Sequence, residues 1–123
     1  MSRVSVVIAF LAVSAMVISI KSEEIHLYTD KYDYIDYDEI LANDRIRNQY
    51  YNCYLGTGSC LTPDAKFFKD MFPEALVTKC KYCTEKQKNG FEKIVTYYTE
   101  KEPEAWEKVL RKAIEDARSR SKQ

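Results

Sequence analysis

Four cysteines, Cys53, Cys60, Cys80 and Cys83, follow the spacing C-x6-C-x19-C-x2-C, and they constrain the fold more than any other feature of the 123-residue chain. What they do depends on the compartment. Arg3 precedes an apolar run from Val4 to Ile20 broken only by Ser5, Ser14 and Ser19, and the polar Lys21, Ser22, Glu23 and Glu24 follow. This pattern reads as a secretory signal peptide over residues 1–22, leaving one domain over residues 23–123. The run of about 17 residues lies at the lower limit for a membrane span. No second stretch is as apolar, so no stable membrane insertion is expected. An even number of cysteines in a small secreted domain reads as disulfides.

The spacing does not choose among the three pairings that four cysteines allow. Local pairs would close loops of about 8 and about 4 residues and contribute roughly 2 to 2.5 kcal/mol each in the chain-entropy model. Crossed pairs would close loops of about 28 residues and contribute about 1 kcal/mol more each. Gly56 and Gly58 favour the local first pair, because they let Tyr54 to Ser59 turn back without strain. The segment Cys80-Lys81-Tyr82-Cys83 has redox-motif spacing, but a thioredoxin-like site needs a βαβ setting, and the chain carries no strand signals. For zinc, the first pair is spaced too widely to be a knuckle. Structural disulfides are the expectation, with no metal and no cofactor.

The rest of the domain is punctuated for helices. Three Gly and three Pro are too few for a strand-and-turn architecture. Asp36 with Glu39 resembles a capping box ahead of Ile40 and Leu41. Asn43 caps a second helix, Asp44 to Tyr54. Thr62-Pro63-Asp64 sets an N-cap and a proline at the first helical position. That third helix is expected to bend or stop near Phe72, before Pro73. Thr84 and Gln87 form another capping box, opening a helix to Glu100, and Pro103 opens the last. Asn89-Gly90 reads as a turn inside the Thr84 helix. Keeping the helix there costs about 1 kcal/mol and implies close packing at Gly90.

Periodicity agrees. Phe91, Ile94, Val95 and Tyr98 fall at i, i+3, i+4 and i+7, and Trp106, Val109, Leu110, Ala113, Ile114 and Ala117 continue the rule on the last helix. Phe67, Phe68, Met71 and Phe72 form an aromatic-rich face. The pairs Glu104–Lys108, Glu107–Arg111 and Asp116–Arg120 place acid before base at i, i+4 on the outer faces.

Catalytic chemistry is hard to place on this chain, and no enzymatic activity is expected. The single histidine, His26, sits beside the mature N-terminus and reads as solvated. Asp33, Asp36, Asp38 and Glu39 lack a metal-loop spacing and suit the positive end of the first helix. Removing Arg3 and Lys21 from the 19 basic residues leaves 17 against 19 acidic, a net charge of −2. With no basic stripe interleaved with aromatics, nucleic acid is excluded as a partner. The run Arg118 to Lys122 reads as a solvated helix end.

The stretch Tyr28-Thr29-Asp30-Lys31-Tyr32-Asp33 resembles the amino-terminal signature of insect chemosensory proteins, and the resemblance continues through Asp38-Glu39-Ile40-Leu41-Ala42-Asn43-Asp44-Arg45. The cysteine spacing lies within that family's range. Thr62-Pro63-Asp64, Pro73-Glu74-Ala75-Leu76 and Cys83-Thr84-Glu85-Lys86-Gln87-Lys88 match as well, and Gly90 stands where the family has a glycine. The resemblance runs from residue 28 to about residue 110.

It implies an all-α, compact bundle of five to six helices around an apolar channel, with local disulfides Cys53–Cys60 and Cys80–Cys83. It implies a monomeric carrier secreted into sensory lymph or haemolymph, binding a small apolar ligand: a long-chain acyl compound, an alcohol, or an odorant- or pheromone-like molecule. By alignment on the first cysteine, Tyr50 falls at the family's channel mouth and Trp106 at its ligand-side tryptophan. Read from the residues alone, Ile46, Tyr50 and Tyr54 are one helix face at i, i+4, i+8. The expected ligand contacts are Ile46, Tyr50, Phe67, Met71, Phe91, Val95, Tyr98, Trp106 and Leu110. Aromatic and methionine walls grip a chain without specific hydrogen bonds.

One departure stands out. The family usually continues past the tryptophan helix with a Tyr-Asp-Pro-x-Gly turn and a short further helix. Ala113 to Gln123 contain no Pro or Gly, so a sixth helix is expected to be missing or merged with the fifth. The alternative function is a secreted developmental or immune factor that acts through contacts with a receptor or another secreted protein.

Overall fold

Short polar side chains decide where most of the helices begin. The computed structural model describes residues 25–121, so the expected signal peptide and Lys122 lie outside the described residues. Five helices follow in order: α1 (Tyr37–Ala42), α2 (Asp44–Leu55), α3 (Pro63–Thr78), α4 (Glu85–Lys101) and α5 (Pro103–Ser121). Asp36 accepts from the Glu39 N–H at 3.2 Å, Asn43 from Ile46 at 3.1 Å and Thr62 from Ala65 at 3.3 Å. Each bond satisfies a donor that the first helical turn leaves free. The full reciprocal box forms at α4, where the Gln87 N–H donates to Thr84 Oγ1 at 3.2 Å and the Thr84 N–H to Gln87 Oε1 at 2.9 Å.

The disulfides are local, Cys53–Cys60 and Cys80–Cys83. Gly56 ends α2 at φ 79°, a conformation glycine adopts without penalty, and the chain turns back there to bring Cys60 to Cys53. The end of α3 is tighter. Lys79 and Cys80 both take positive φ, 55° and 60°, which is uncommon for residues bearing a Cβ. The Cys80 N–H donates to Ala75 O at 2.7 Å, closing the helix end, and the second disulfide fixes the turn.

The expected stop near Phe72 does not occur. Helix α3 runs through Pro73 to Thr78. Proline withholds one helical hydrogen bond and disfavours helical geometry at the preceding residue, but both residues are buried here. Phe72 meets the rings of Tyr54 at 5.1 Å, Phe91 at 5.6 Å and Trp106 at 6.4 Å. That packing outweighs the local preference. At Gly90 the expected close packing is present: the Tyr37 ring lies over the glycine, and an added Cβ would collide with it. The glycine is what lets α1 sit on α4.

The most extensive contact is α3 against α5, with α2 packed on α3 and α1 bridging α2 and α4. Ala113 is 0% exposed and Ala75 1%, so small side chains occupy the deepest positions of α5 and α3. Of the three outer-face pairs on α5, Glu107–Arg111 forms at 2.5 Å. Glu104 and Lys108 make no ion pair, and Asp116 pairs with Lys112 instead, at 3.2 Å. Arg120, an exposed residue, donates from Nη1 to Asp70 O at 2.6 Å, tying the end of α5 to α3. The last helix is continuous to Ser121, so the described bundle has five helices.

Residues 28–33 form a strap across the α3–α4 junction. The Tyr28 N–H donates to Tyr82 O at 2.8 Å and its hydroxyl to Glu74 at 2.6 Å. Gln87 Nε2 donates to Thr29 O at 3.0 Å, and Thr84 Oγ1 donates to Asp33 at 3.1 Å. Gln87 is 3% exposed, and these bonds satisfy its amide. The same cap that starts α4 therefore also anchors the strap.

Candidate ligand cavity

Inward faces of all five helices enclose a partly open cavity of about 120 Å³. Helix α1 supplies Tyr37, Ile40 and Leu41, a stripe at i, i+3, i+4. Helix α2 contributes Arg47, Tyr50, Tyr51 and Tyr54, and α3 contributes Ala65, Phe68, Lys69 and Phe72. Ile94 and Tyr98 of α4 and Trp106 and Val109 of α5 complete the wall. Trp106 stacks on Tyr98 at 6.2 Å, and Tyr98 stacks on Tyr51 at 6.1 Å. An engineered apolar cavity of about 150 Å³ stays dry and binds benzene, so this space has the size and lining to hold part of an apolar molecule. Among the described residues no cluster of His, Cys, Asp or Glu is arranged to hold a metal.

Three of the expected contact residues stand on this wall: Tyr50, Tyr98 and Trp106. The others lie elsewhere. Phe67 packs between Tyr32 at 5.0 Å and Phe68 at 5.5 Å. Met71 is buried in the core, and Phe91, Val95 and Leu110 pack half-buried against it. Ile46 is half-buried on α2. Sequence reasoning missed the α1 stripe, whose six-residue helix is too short for a period to stand out. It also missed Arg47, because a charge on an apolar stripe reads as exposed.

Arg47 is only 7% exposed. Its Nη1 donates to Leu41 O at 2.6 Å and its Nη2 to Asp44 at 2.8 Å, and Nε lies 3.5 Å from Glu102. The guanidinium sits 4.7 Å from the Tyr97 ring centre. Burial works against the charge, but the Asp44 bond and the surrounding anionic groups outweigh it and hold the pKa above its ordinary value. Arg47 thus ties the end of α1 to α2 and to the α4–α5 junction at one edge of the cavity. Elsewhere on the wall, the Tyr50 hydroxyl donates a short bond to the buried carboxylate of Asp64, linking α2 to α3.

Burial also keeps the wall phenols neutral. The pKa values of Tyr54 and Tyr98 are raised mainly by burial, with a further push at Tyr98 from Glu102. Tyr50 is raised by burial and by its bond to Asp64. Tyr37 is pushed up to about 12 by burial and by Asp33. The unfolded chain ionises its phenols near pH 10. These groups therefore stabilise the fold fully below about pH 10, and that contribution is lost as pH rises through their folded values. Each buried phenol steepens the loss by up to about 1.4 kcal/mol per pH unit. Phenolate absorbance from these residues and loss of helical circular dichroism should appear together, at pH values above about 10. Ionisation of all four near pH 10 with the helices intact would refute the buried wall.

A family model described as "Insect pheromone-binding family, A10/OS-D" matches residues 28–121. The chain is similar to the putative odorant-binding protein A10 of Drosophila melanogaster, 45% identical over 82 residues, which are 67% of this chain and 52% of that protein. The match therefore spans about half of that relative's length. It is also similar to ejaculatory bulb-specific protein 3 of Drosophila melanogaster, 42% identical over 85 residues, 69% of this chain and 67% of that one. Among solved structures, a chemosensory protein in complex with bromo-dodecanol superposes with a TM-score of 0.67 at 38% identity, over 77% of this chain and 94% of that one.

Proposed function

Because this chain belongs to the insect pheromone-binding family A10/OS-D, the chemosensory proteins, we propose that it is a secreted, non-enzymatic carrier that takes one small, chain-like apolar molecule into the cavity beside Trp106. The observation that carries this reading is the apolar cavity itself, walled by aromatic rings from five helices. A fully packed core would have favoured a protein-binding surface instead. The bromo-dodecanol held by the solved relative supports long-chain alcohols and acyl compounds as the ligand class. Among the described residues no helix is long and apolar enough to cross a membrane.

At about 0.8 kcal/mol per buried CH₂, a twelve-carbon chain gains roughly 9 to 10 kcal/mol before ordering costs. Those costs bring affinity to around the micromolar range. A chain of that length exceeds the present cavity of about 120 Å³, so binding it requires the wall side chains to rearrange. Trp106 is the single tryptophan, and its emission reports on the site directly. Titration with C12 to C18 alcohols or acids should change that emission saturably and displace a hydrophobic dye. If no such chain up to about 100 μM does either, the carrier reading fails and a role in binding a receptor or another secreted protein takes its place.

A further inference from the structure

Helix α1 is the least anchored part of the cavity wall. It has six residues, none of them buried, yet it supplies Tyr37, Ile40 and Leu41 to the lining. All three are half-buried, whereas the lining residues from α5, Trp106 and Val109, are buried. Among the described residues the α1 backbone packs on α2 and α4 alone. One side chain reaches α3, the Tyr37 ring, which meets Phe68 edge-on at 5.9 Å.

The segments on either side are fixed. Upstream, the strap over residues 28–33 is tied down through Tyr28, Thr29 and Asp33. Downstream, α2 is bonded to α3 through Tyr50 and Asp64. Between them α1 hangs on two short connections. One is residues 34–36, where Tyr34 is 77% exposed. The other is the single residue Asn43, in an extended conformation at φ −105° and ψ 106°. Six residues are too few for a helix to be stable by itself in water. A detached α1 therefore unwinds, and the wall opens there by local unfolding while the other four helices stay packed.

Three contacts hold α1 down. Arg47 Nη1 donates to Leu41 O at 2.6 Å, placing a cation where the helix end leaves carbonyls free. Lys93 Nζ of α4 donates to Asp38 at 2.7 Å in an exposed ion pair, a kind that contributes little. The Tyr37 ring rests on Gly90. We infer that α1 is the lid of the cavity. It lifts from α2 and α4 on the connections at Asn43 and residues 34–36, admits an apolar chain, and closes again with Arg47 as its latch. The inference rests on the carrier reading and names the part of the wall that moves.

The test fastens the lid. Asp38 and Lys93 are both replaced by cysteine and joined by a short bismaleimide. The native cysteines are all in disulfides, so only the introduced thiols react. The reference is the same double variant with each thiol capped by N-ethylmaleimide. Binding of 1-dodecanol is followed by stopped-flow emission of Trp106. Bridging should slow association and dissociation together, by about tenfold or more, because a lid gates passage in both directions. Bridged protein that loads as fast as capped protein would overturn the lid and leave the carrier standing. Hydrogen exchange of the empty wild-type protein gives a second readout that needs no ligand. The Ile40 and Asn43 amides, bonded to Asp36 O and Ile40 O at 3.2 Å each, should exchange faster than amides at the centres of α3 and α5. Equal protection would also overturn the lid. Failure of dodecanol to bind the capped protein would remove the carrier reading and the lid together.

Discussion

Replacing Trp106 with alanine should lower folding stability by about 3 to 5 kcal/mol, the cost of deleting a large aromatic side chain from a core. Trp106 joins three helices. It extends from α5, stacks on Tyr98 of α4 at 6.2 Å and meets Phe72 of α3 edge-on at 6.4 Å. Its removal takes away apolar burial and also enlarges a cavity of about 120 Å³ that the bundle already holds open, so the neighbours cannot close the gap. For a domain of this size each kcal/mol shifts the midpoint by roughly 4 to 8 °C, and the expected fall is on the order of 15 to 30 °C. Urea unfolding followed by circular dichroism measures it, and Trp106→Phe should recover much of the loss. A cost below about 1 kcal/mol would show that the ring is not part of the core.

Reduction of both disulfides should remove about 4 to 5 kcal/mol in total yet leave most of the helical signal at room temperature. The loops are short, with sequence separations of 7 and 3, and loop entropy grows slowly with length. Most of the apolar burial lies in the helix stripes, and the buried Cys53 and Cys83 remain acceptable core residues as thiols. The two bridges should not be equal. Cys53→Ser with Cys60→Ser opens the longer loop, but Gly56 lets that turn form without strain. Cys80→Ser with Cys83→Ser opens the shorter one and frees a turn that holds Lys79 and Cys80 at positive φ. Thermal melts of the two double variants, followed at a helix wavelength, compare them. Complete loss of helix on reduction at room temperature would mean that the bridges, not the core, hold the bundle together.

The helix starts were legible because capping is a local matter. Asp36, Asn43, Thr62 and Thr84 each reach a backbone donor only two or three residues ahead, so a short window of sequence contains the whole interaction. Pro73 shows the limit of that window. Its local rules predict a break, but Phe72 beside it is held by rings from α2, α4 and α5, contacts that no nearby residue announces. The ion pairs on α5 behave in the same way. Asp116 has Lys112 and Arg120 one turn away on either side, and sequence spacing ranks them alike. The choice falls to Lys112 because Asp70 O on α3 takes Arg120.

The sequence by itself determined the class of fold, the apolar stripes of the four longer helices and the side chains that cap α1 to α4, since each follows from spacing along the chain. Periodicity identifies the face of a helix that turns inward but not how deep each residue on it lies, and a filled core and a cavity require the same stripes. Only the tertiary packing decided that Tyr50, Tyr98 and Trp106 reach the open space while Phe67, Met71 and Phe91 pack around it. It also placed Arg47 and Tyr54 on that wall. A buried guanidinium needs carboxylates and a carbonyl brought from other segments, a condition set by the whole bundle at once.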